Sequence, residues 1–309
     1  MYLKMFEFGK YFNKQVTHDS NSEINKLTNH IKTKIGKWQV LHSPSKNFLW
    51  IKNAKVAGTS MYRGVLEKEI HDILSYKKNP EEFDKWWDSL TDEKINDYFK
   101  FVFVRNPFDR CVSAFSHIVM ESVLQDHYNV WPVIHPGKKY DRNELRLEFD
   151  AIYKLWTLFA KRALYDYDIN GESVHWMPQN VLVECDGEVF VDFIGKYENL
   201  ENDWKKISNK LKVSDVLPRV PVAQTERQNP NTDRAQRQNL HWSQFYVDLE
   251  LIDSCAEFYF RDLELFEYKD KIIELTQRAF VIREELQKQR NERGTKLEQN
   301  LRIDINKDK

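Results

Sequence analysis

The stretch WIKNAKVAGTSMYRGVL, from Trp50 to Leu66, constrains the fold more than any other part of the chain. Phe48 to Ile51 form a short apolar run bounded by Asn47 and Asn53, and the apolar residues Met61, Val65, Leu66, Ile70 and Ile73 then recur at helical spacing. A strand therefore runs into a helix through Lys55, Val56, Ala57, Gly58, Thr59 and Ser60. Such a turn suits an anion, because free N–H groups and the positive end of the helix dipole point at whatever sits there. Gly58 lets the backbone approach closely, Thr59 and Ser60 add hydroxyls, and Lys55 brings a movable charge. The loop is not a Walker A motif, in which the lysine follows the second of two glycines; here Lys55 precedes a lone one. By itself the turn also fits an ordinary capped helix after a strand.

The pattern repeats. Phe101 to Val104 is a run of aromatic and β-branched residues suited to a buried parallel strand. A helix then opens with Asn106 as N-cap and Pro107 at its first position, continuing through Val112, Phe115 and Val119. Two strand-to-helix units imply a parallel sheet covered by helices. Arg105 ends the second strand and Ser113 lies in the following helix, so a planar fork of donors and a hydroxyl can face one anion, although a surface Arg at a strand end reads the same way. Residues 76 to 98, with Pro80, Trp86 and Trp87 among many charges, are expected as helices or a lid beside the sheet.

Further along, Val181 to Val183 and Val189 to Ile194 read as strands flanking the turn dipeptide Asp186-Gly187, in a loop too long for a minimal hairpin. A helix should carry Leu200, Trp204, Ile207 and Leu211 on one face, and another is expected near residues 248 to 262. Residues 213 to 243, with Pro218, Pro221 and Pro230, read as loop. Ile272, Leu275, Ala279, Ile282 and Leu286 form a short heptad-like tail that docks on the body or pairs with a second copy. The expected division is a loosely ordered segment at 1–36, one domain at 37–268 and a helical extension at 269–309.

Lys and Arg total 47 against 48 Asp and Glu, so no overall field draws in nucleic acid or an anionic membrane, and any anion site must be local. No apolar run is long enough to span a bilayer. Cys111, Cys185 and Cys255 fit neither a disulfide framework nor a zinc site and read as buried thiols, and no leader sequence is visible; these features together set the expectation of a cytoplasmic protein.

In order along the chain, AKVAGTS, FVFVRNPFDRCVSAF, VHWMPQ (Val174 to Gln179), VDFIGKYENLENDW (Val191 to Trp204) and CAEFYFRDLELFEY (Cys255 to Tyr268) resemble the motifs of the sulfotransferase superfamily, specifically its carbohydrate (chondroitin and HNK-1 type) branch. The resemblance departs at Asn53-Ala54, where proline usually precedes the loop lysine, at Asn106 for Asp, and at Glu267 for Gly. It implies an α/β fold, a P-loop-like parallel β-sheet flanked by helices with a C-terminal helical tail. It also implies 3′-phosphoadenosine-5′-phosphosulfate (PAPS) as co-substrate, a glycan or other hydroxyl-bearing acceptor, and no metal. On this reading Lys55 to Ser60 hold the 5′-phosphosulfate, Arg105 and Ser113 hold the 3′-phosphate, and Tyr197 packs on adenine. Lys55 and the loop amides would supply the catalytic electrostatics.

A hydroxyl nucleophile needs a general base. His175, inside a family-like motif, is the first choice, with His71, His117, Glu67 and Glu69 as alternatives. Lys138, Lys139, Arg142 and Arg146 could contact an acidic glycan, yet Asp141, Glu144 and Glu148 interleave with them. The competing functions are a nucleotide-dependent kinase of related fold and a non-catalytic PAPS- or glycan-binding relative.

Overall fold

A computed structural model describes residues 25–117, 149–165, 172–218, 241–285 and 288. The basic stretch at 138–146, most of the proline-bearing segment at 213–243, and Leu286 lie outside the described residues. The strands are β1 (Val40–Ser43), β2 (Phe48–Ile51), β3 (Leu74–Ser75), β4 (Phe99–Val104), β5 (Glu184–Cys185), β6 (Glu188–Val189) and β7 (Phe193–Lys196). Five of them form one sheet in the order β3-β1-β2-β4-β7. β2, β4 and β7 run parallel, as two strand-to-helix units require. β1 is antiparallel to both β2 and β3, so the sheet is mixed, with a hairpin edge that the sequence reading does not anticipate. Asn47, at φ 50°, sits in the turn of that hairpin.

Alternation along β2 and β4 sends side chains to two covered faces. Phe48, Trp50, Phe101 and Phe103 meet Met61, Val65, Leu66 and Ile70, together with Trp204, Ile207 and Leu211. The first group comes from a helical rod built of α1 (Gly58–Met61), a wider turn (Tyr62–Leu66) and α2 (Glu67–Glu69). The second comes from α4 (Leu200–Leu211), which follows β7 through a short turn, as α3 (Pro107–Phe115) follows β4. Leu49, Ile51, Val102 and Val104 face the other way, onto Phe108, Phe115, Trp156, Tyr246 and Tyr259. Each fully buried side chain of this size contributes about 1.5–3 kcal/mol, so the sheet is anchored from both sides. Two helices at Pro80–Asp88 and Asp92–Asp97 stand where the Trp-bearing segment was expected to form helices.

Three expectations are corrected. Residues 26–35, read as part of a loose segment, are helical and bury Leu27, Ile31 and Ile35, while Asp92 accepts the backbone N–H of Leu27 and Thr28. Val181 and Leu182 belong to a 3-10 turn at Gln179–Leu182 rather than to a strand. The hairpin strands are therefore shorter and start later, and Asp186 (φ 51°) and Gly187 (φ 87°) form a two-residue turn between Cys185 and Glu188. Positive φ at both central positions is what a tight hairpin of that hand needs. At the C-terminal end, residues 270–285 form a helix that docks on the body through buried Leu275 and Ala279, and Arg283 donates to the Val247 carbonyl.

Candidate active site

The loop after β2 bends through two non-glycine residues in the left-handed region, Lys55 (φ 66°) and Ala57 (φ 61°). Such residues cost on the order of 1–3 kcal/mol each and persist only where the surroundings hold them. Here Arg110 Nε donates to the Ala54 carbonyl (3.1 Å), Arg105 Nη1 donates to the Lys55 carbonyl (2.9 Å), and the Asn53 amide donates to the Phe103 carbonyl (3.1 Å). With its carbonyls drawn toward α3, the loop opens the helix at Gly58. The first backbone bond of that helix runs from Met61 N–H to the Ala57 carbonyl (3.2 Å), so the amides of Gly58, Thr59 and Ser60 precede the ladder. Ala57 stands at the cap position and supplies no side-chain acceptor. α3 differs: Asn106 Oδ1 accepts the Phe108 N–H (3.1 Å) and caps its own helix.

Arg105 leaves the end of β4 beside this loop. Its Nε and Nη2 donate to the two oxygens of Asp109 at 2.8 Å each, and its guanidinium lies 4.2 Å from the centre of the Tyr197 ring. With the bond to Lys55, three of its five N–H donors are engaged and two remain for a ligand. Ser113, half-buried, falls on the same face of α3 as Asp109, one turn further along. The sequence reading brings Arg105 and Ser113 to one place but misses Asp109, whose spacing of four from Arg105 was the available signal.

The Gln179 side chain ties these parts together. Its oxygen accepts from Asn53 (2.8 Å) and from the Arg105 backbone N–H (3.0 Å), and its amide donates to the Arg105 carbonyl (2.8 Å). Asp262, fully buried, accepts the backbone N–H groups of Gln179 (2.8 Å) and Asn180 (2.7 Å), and burial pushes its carboxyl up to about 6. Arg110, also fully buried, donates to the carbonyls of Met177 (2.7 Å) and Val174 (2.9 Å). Glu198 accepts the Asn106 N–H (2.7 Å) and the Tyr268 hydroxyl (2.6 Å). The VHWMPQ and YENL motifs thus bond to the segments around Asn53, Arg105 and Asn106, and the late motif holds both of them through Asp262 and Tyr268.

His175 lies close enough to Lys55 for the two charges to interact. Burial first, then the charges of Lys55, His117, Arg110 and Lys52, hold the imidazole down at about 3, so it is neutral near pH 7. Its Nδ1 is buried without a hydrogen-bond partner, and its ring meets that of His117 edge-on at 5.3 Å. The other candidate bases are committed elsewhere or exposed: Glu67 pairs with Lys78, Glu69 accepts the Ser214 N–H (2.8 Å), and His71 is exposed in a turn. Cys111, Cys185 and Cys255 are free and buried, as their spacing suggested.

A loop that offers helix-start amides at the end of one parallel strand, with an arginine at the end of the next, is an arrangement suited to a phosphorylated ligand at the carboxyl ends of the strands of an α/β protein. The sulfotransferase family model matches residues 38–269, and the chain belongs to that family. It is 30% identical over 177 residues to carbohydrate sulfotransferase 14 of Danio rerio, covering 57% of this chain and 45% of that protein. It is 26% identical over 186 residues to carbohydrate sulfotransferase 10 of Xenopus laevis, covering 58% of this chain and 49% of the relative. The human carbohydrate sulfotransferase 10 is 26% identical over 166 residues, with 50% and 44% covered. The chain spans about half the length of the curated relatives it matches. No solved structure gives a significant match.

Proposed function

We propose that the protein transfers the sulfuryl group of PAPS to a hydroxyl of a carbohydrate by in-line displacement. The observation that carries this reading is the bond from Arg105 to the Lys55 carbonyl, which couples the two phosphate motifs of a sulfotransferase-family chain into one anion-binding surface. The amides of Gly58, Thr59 and Ser60 and the Lys55 ammonium hold the 5′-phosphosulfate; the two spare N–H groups of Arg105 and the Ser113 hydroxyl hold the 3′-phosphate. Tyr197, already stacked on Arg105, extends that surface toward the adenine. The acceptor oxygen bonds to sulfur as the bond from sulfur to the 5′-phosphate oxygen breaks, and Lys55 and the amides stabilise the charge that this oxygen gains.

His175 takes the acceptor proton. In the ligand-free protein it is a weak base, because the charges of Lys55 and Lys52 add to its burial. An anion on Lys55 offsets that charge and raises the basicity of His175 when substrate is present, which couples proton removal to donor binding. The kinase alternative lacks a Walker loop, and a non-catalytic role leaves the placing of a buried, neutral His175 near Lys55 without a task. Transfer of radiolabelled sulfate from PAPS to a panel of glycans and small alcohols tests the proposal; labelled product from ATP but not from PAPS would replace it with a kinase. A cytoplasmic location is part of the proposal, supported by the three free, buried cysteines and tested by cell fractionation. Pairing of two copies through the helix at 270–285 is a further part, supported by exposed Ile273, Phe280 and Val281 and tested by light scattering.

A further inference from the structure

The parallel ladder stops just short of the anion loop. Its last pair between β2 and β4 is Ile51 with Val102, and the last between β4 and β7 is Val104 with Lys196. Among the described residues, Asn53 and Arg105 therefore leave the sheet with no paired strand to fix them. Backbone groups at such a place need other partners. The Gln179 side chain supplies them. Its amide exchanges two bonds with the Arg105 backbone, accepting the N–H and donating to the carbonyl, the pattern of a hydrogen-bonded pair in an antiparallel ladder. The same oxygen accepts from the Asn53 amide, which also donates to the Phe103 carbonyl. The remaining Gln179 hydrogen goes to Asp262 at 3.3 Å. Both donors and both acceptor positions of one amide are thereby filled, which fixes its orientation.

Asp262, in the short helix at Phe260–Leu265, also accepts the backbone N–H groups of Gln179 and Asn180 and so holds the start of their 3-10 turn. Gln179 and Asp262 are fully buried, and every polar atom of the Gln179 side chain is bonded within the protein, so the pair acts on a ligand through its neighbours. A fully satisfied buried network rigidifies and specifies one arrangement. The arrangement specified here is the spacing between the end of β2, which leads into the anion loop, and the end of β4, which carries Arg105. Resting on the sulfuryl-transfer reading above, we propose that Gln179, held by Asp262, is a positioning residue that sets the distance between the half-site for the 5′-phosphosulfate and the half-site for the 3′-phosphate. A donor with a phosphate on each half is a two-point ligand, and the stiffness between the points decides how much the second contact adds to the first.

The test separates spacing from general stability by comparing 3′-phosphoadenosine-5′-phosphate, which spans both halves, with adenosine 5′-phosphate and adenosine 3′-phosphate, which each occupy one. Affinities come from titration calorimetry, with competition for the weaker ligands, on variants shown to be folded by circular dichroism. Gln179→Met keeps an unbranched side chain of similar size while removing the amide. It should weaken the bisphosphate about tenfold or more, and each monophosphate by less than about threefold. Asn53→Ala detaches the loop side from Gln179 and should show the same selective loss, so the proposal is read even if Gln179→Met does not fold. Parallel weakening of all three nucleotides, as general loosening would give, overturns the proposal. So does bisphosphate binding within about threefold of the parent in the folded variants. If the parent itself binds no bisphosphate, the sulfuryl-transfer reading fails and the proposal falls with it.

Discussion

On the proposed donor site Arg105 serves both the folded state and the ligand, and the two roles can be separated. Its side chain and that of Asp109 are 14% and 17% exposed, so Arg105→Ala leaves a largely buried carboxylate without its bidentate partner. Breaking a fully buried pair costs about 3–5 kcal/mol; with this residual exposure about 2–3 kcal/mol is expected. Removing the stranded carboxylate as well, in Arg105→Ala/Asp109→Ala, should return most of that loss. Ligand binding should not return. The two N–H groups left over for a phosphate are worth about 1.5–3 kcal/mol each as charge-assisted bonds, so both variants should bind 3′-phosphoadenosine-5′-phosphate on the order of a hundredfold to ten-thousandfold more weakly. Urea unfolding reads the first quantity and titration calorimetry the second. A double variant that is folded and binds the nucleotide within about threefold of the parent refutes the assignment of Arg105 to the 3′-phosphate.

Lys55→Ala should lower kcat by about a hundredfold or more while changing nucleotide affinity less than Arg105→Ala does, because its charge matters most as the leaving oxygen becomes negative; steady-state kinetics with PAPS decides. His175→Ala should lower kcat by about a hundredfold or more with nucleotide affinity kept, and NMR titration of the parent should find the imidazole neutral down to about pH 3. Since its folded value lies below the unfolded 6.5, the unfolded chain binds more protons between the two, and His175 should cost stability as pH falls from about 6.5 toward 3; His175→Ala should flatten that part of the urea profile. Gly195→Ala should destabilise by about 1–3 kcal/mol, because the added Cβ would stand 2.4 Å from Cε1 of the fully buried Phe103 ring; an unchanged melting temperature would contradict the packing described for β7.

Periodicity and turn chemistry made the two strand-to-helix units legible, since apolar runs ended at Asn53 and at Arg105 and helical spacing followed each. β1 escaped because Val40–Ser43 carries His42 and Ser43 in a strand whose four residues are all buried, so its polar members hide the pattern. The extension of the core to Leu27, Ile31 and Ile35 escaped because these are the three apolar positions of residues 26–35, too few to show a sustained period, and the distant Asp92 accepts the amides at their start. The Gln179–Leu182 turn was misread for a similar reason: Val181 and Leu182 favour a strand, but Asp262, more than eighty positions away, fixes the preceding amides. Lys55, Arg105 and His175 were singled out from motif and residue chemistry, and the structure places Arg105 and His175 beside Lys55. Asp109, Arg110 and the hub at Gln179 were not assigned roles, because their partners are backbone carbonyls and amides that only the fold brings together.

The measurement that tests the central claim most directly is titration calorimetry of the intact chain with 3′-phosphoadenosine-5′-phosphate, with and without a metal chelator. Loop amides, Lys55, Arg105 and Ser113 together predict tight, saturable binding that is the same in both conditions, and loss of that binding in Arg105→Ala/Asp109→Ala. No heat of binding, or binding that needs magnesium or is matched by ATP, would contradict the donor site described here.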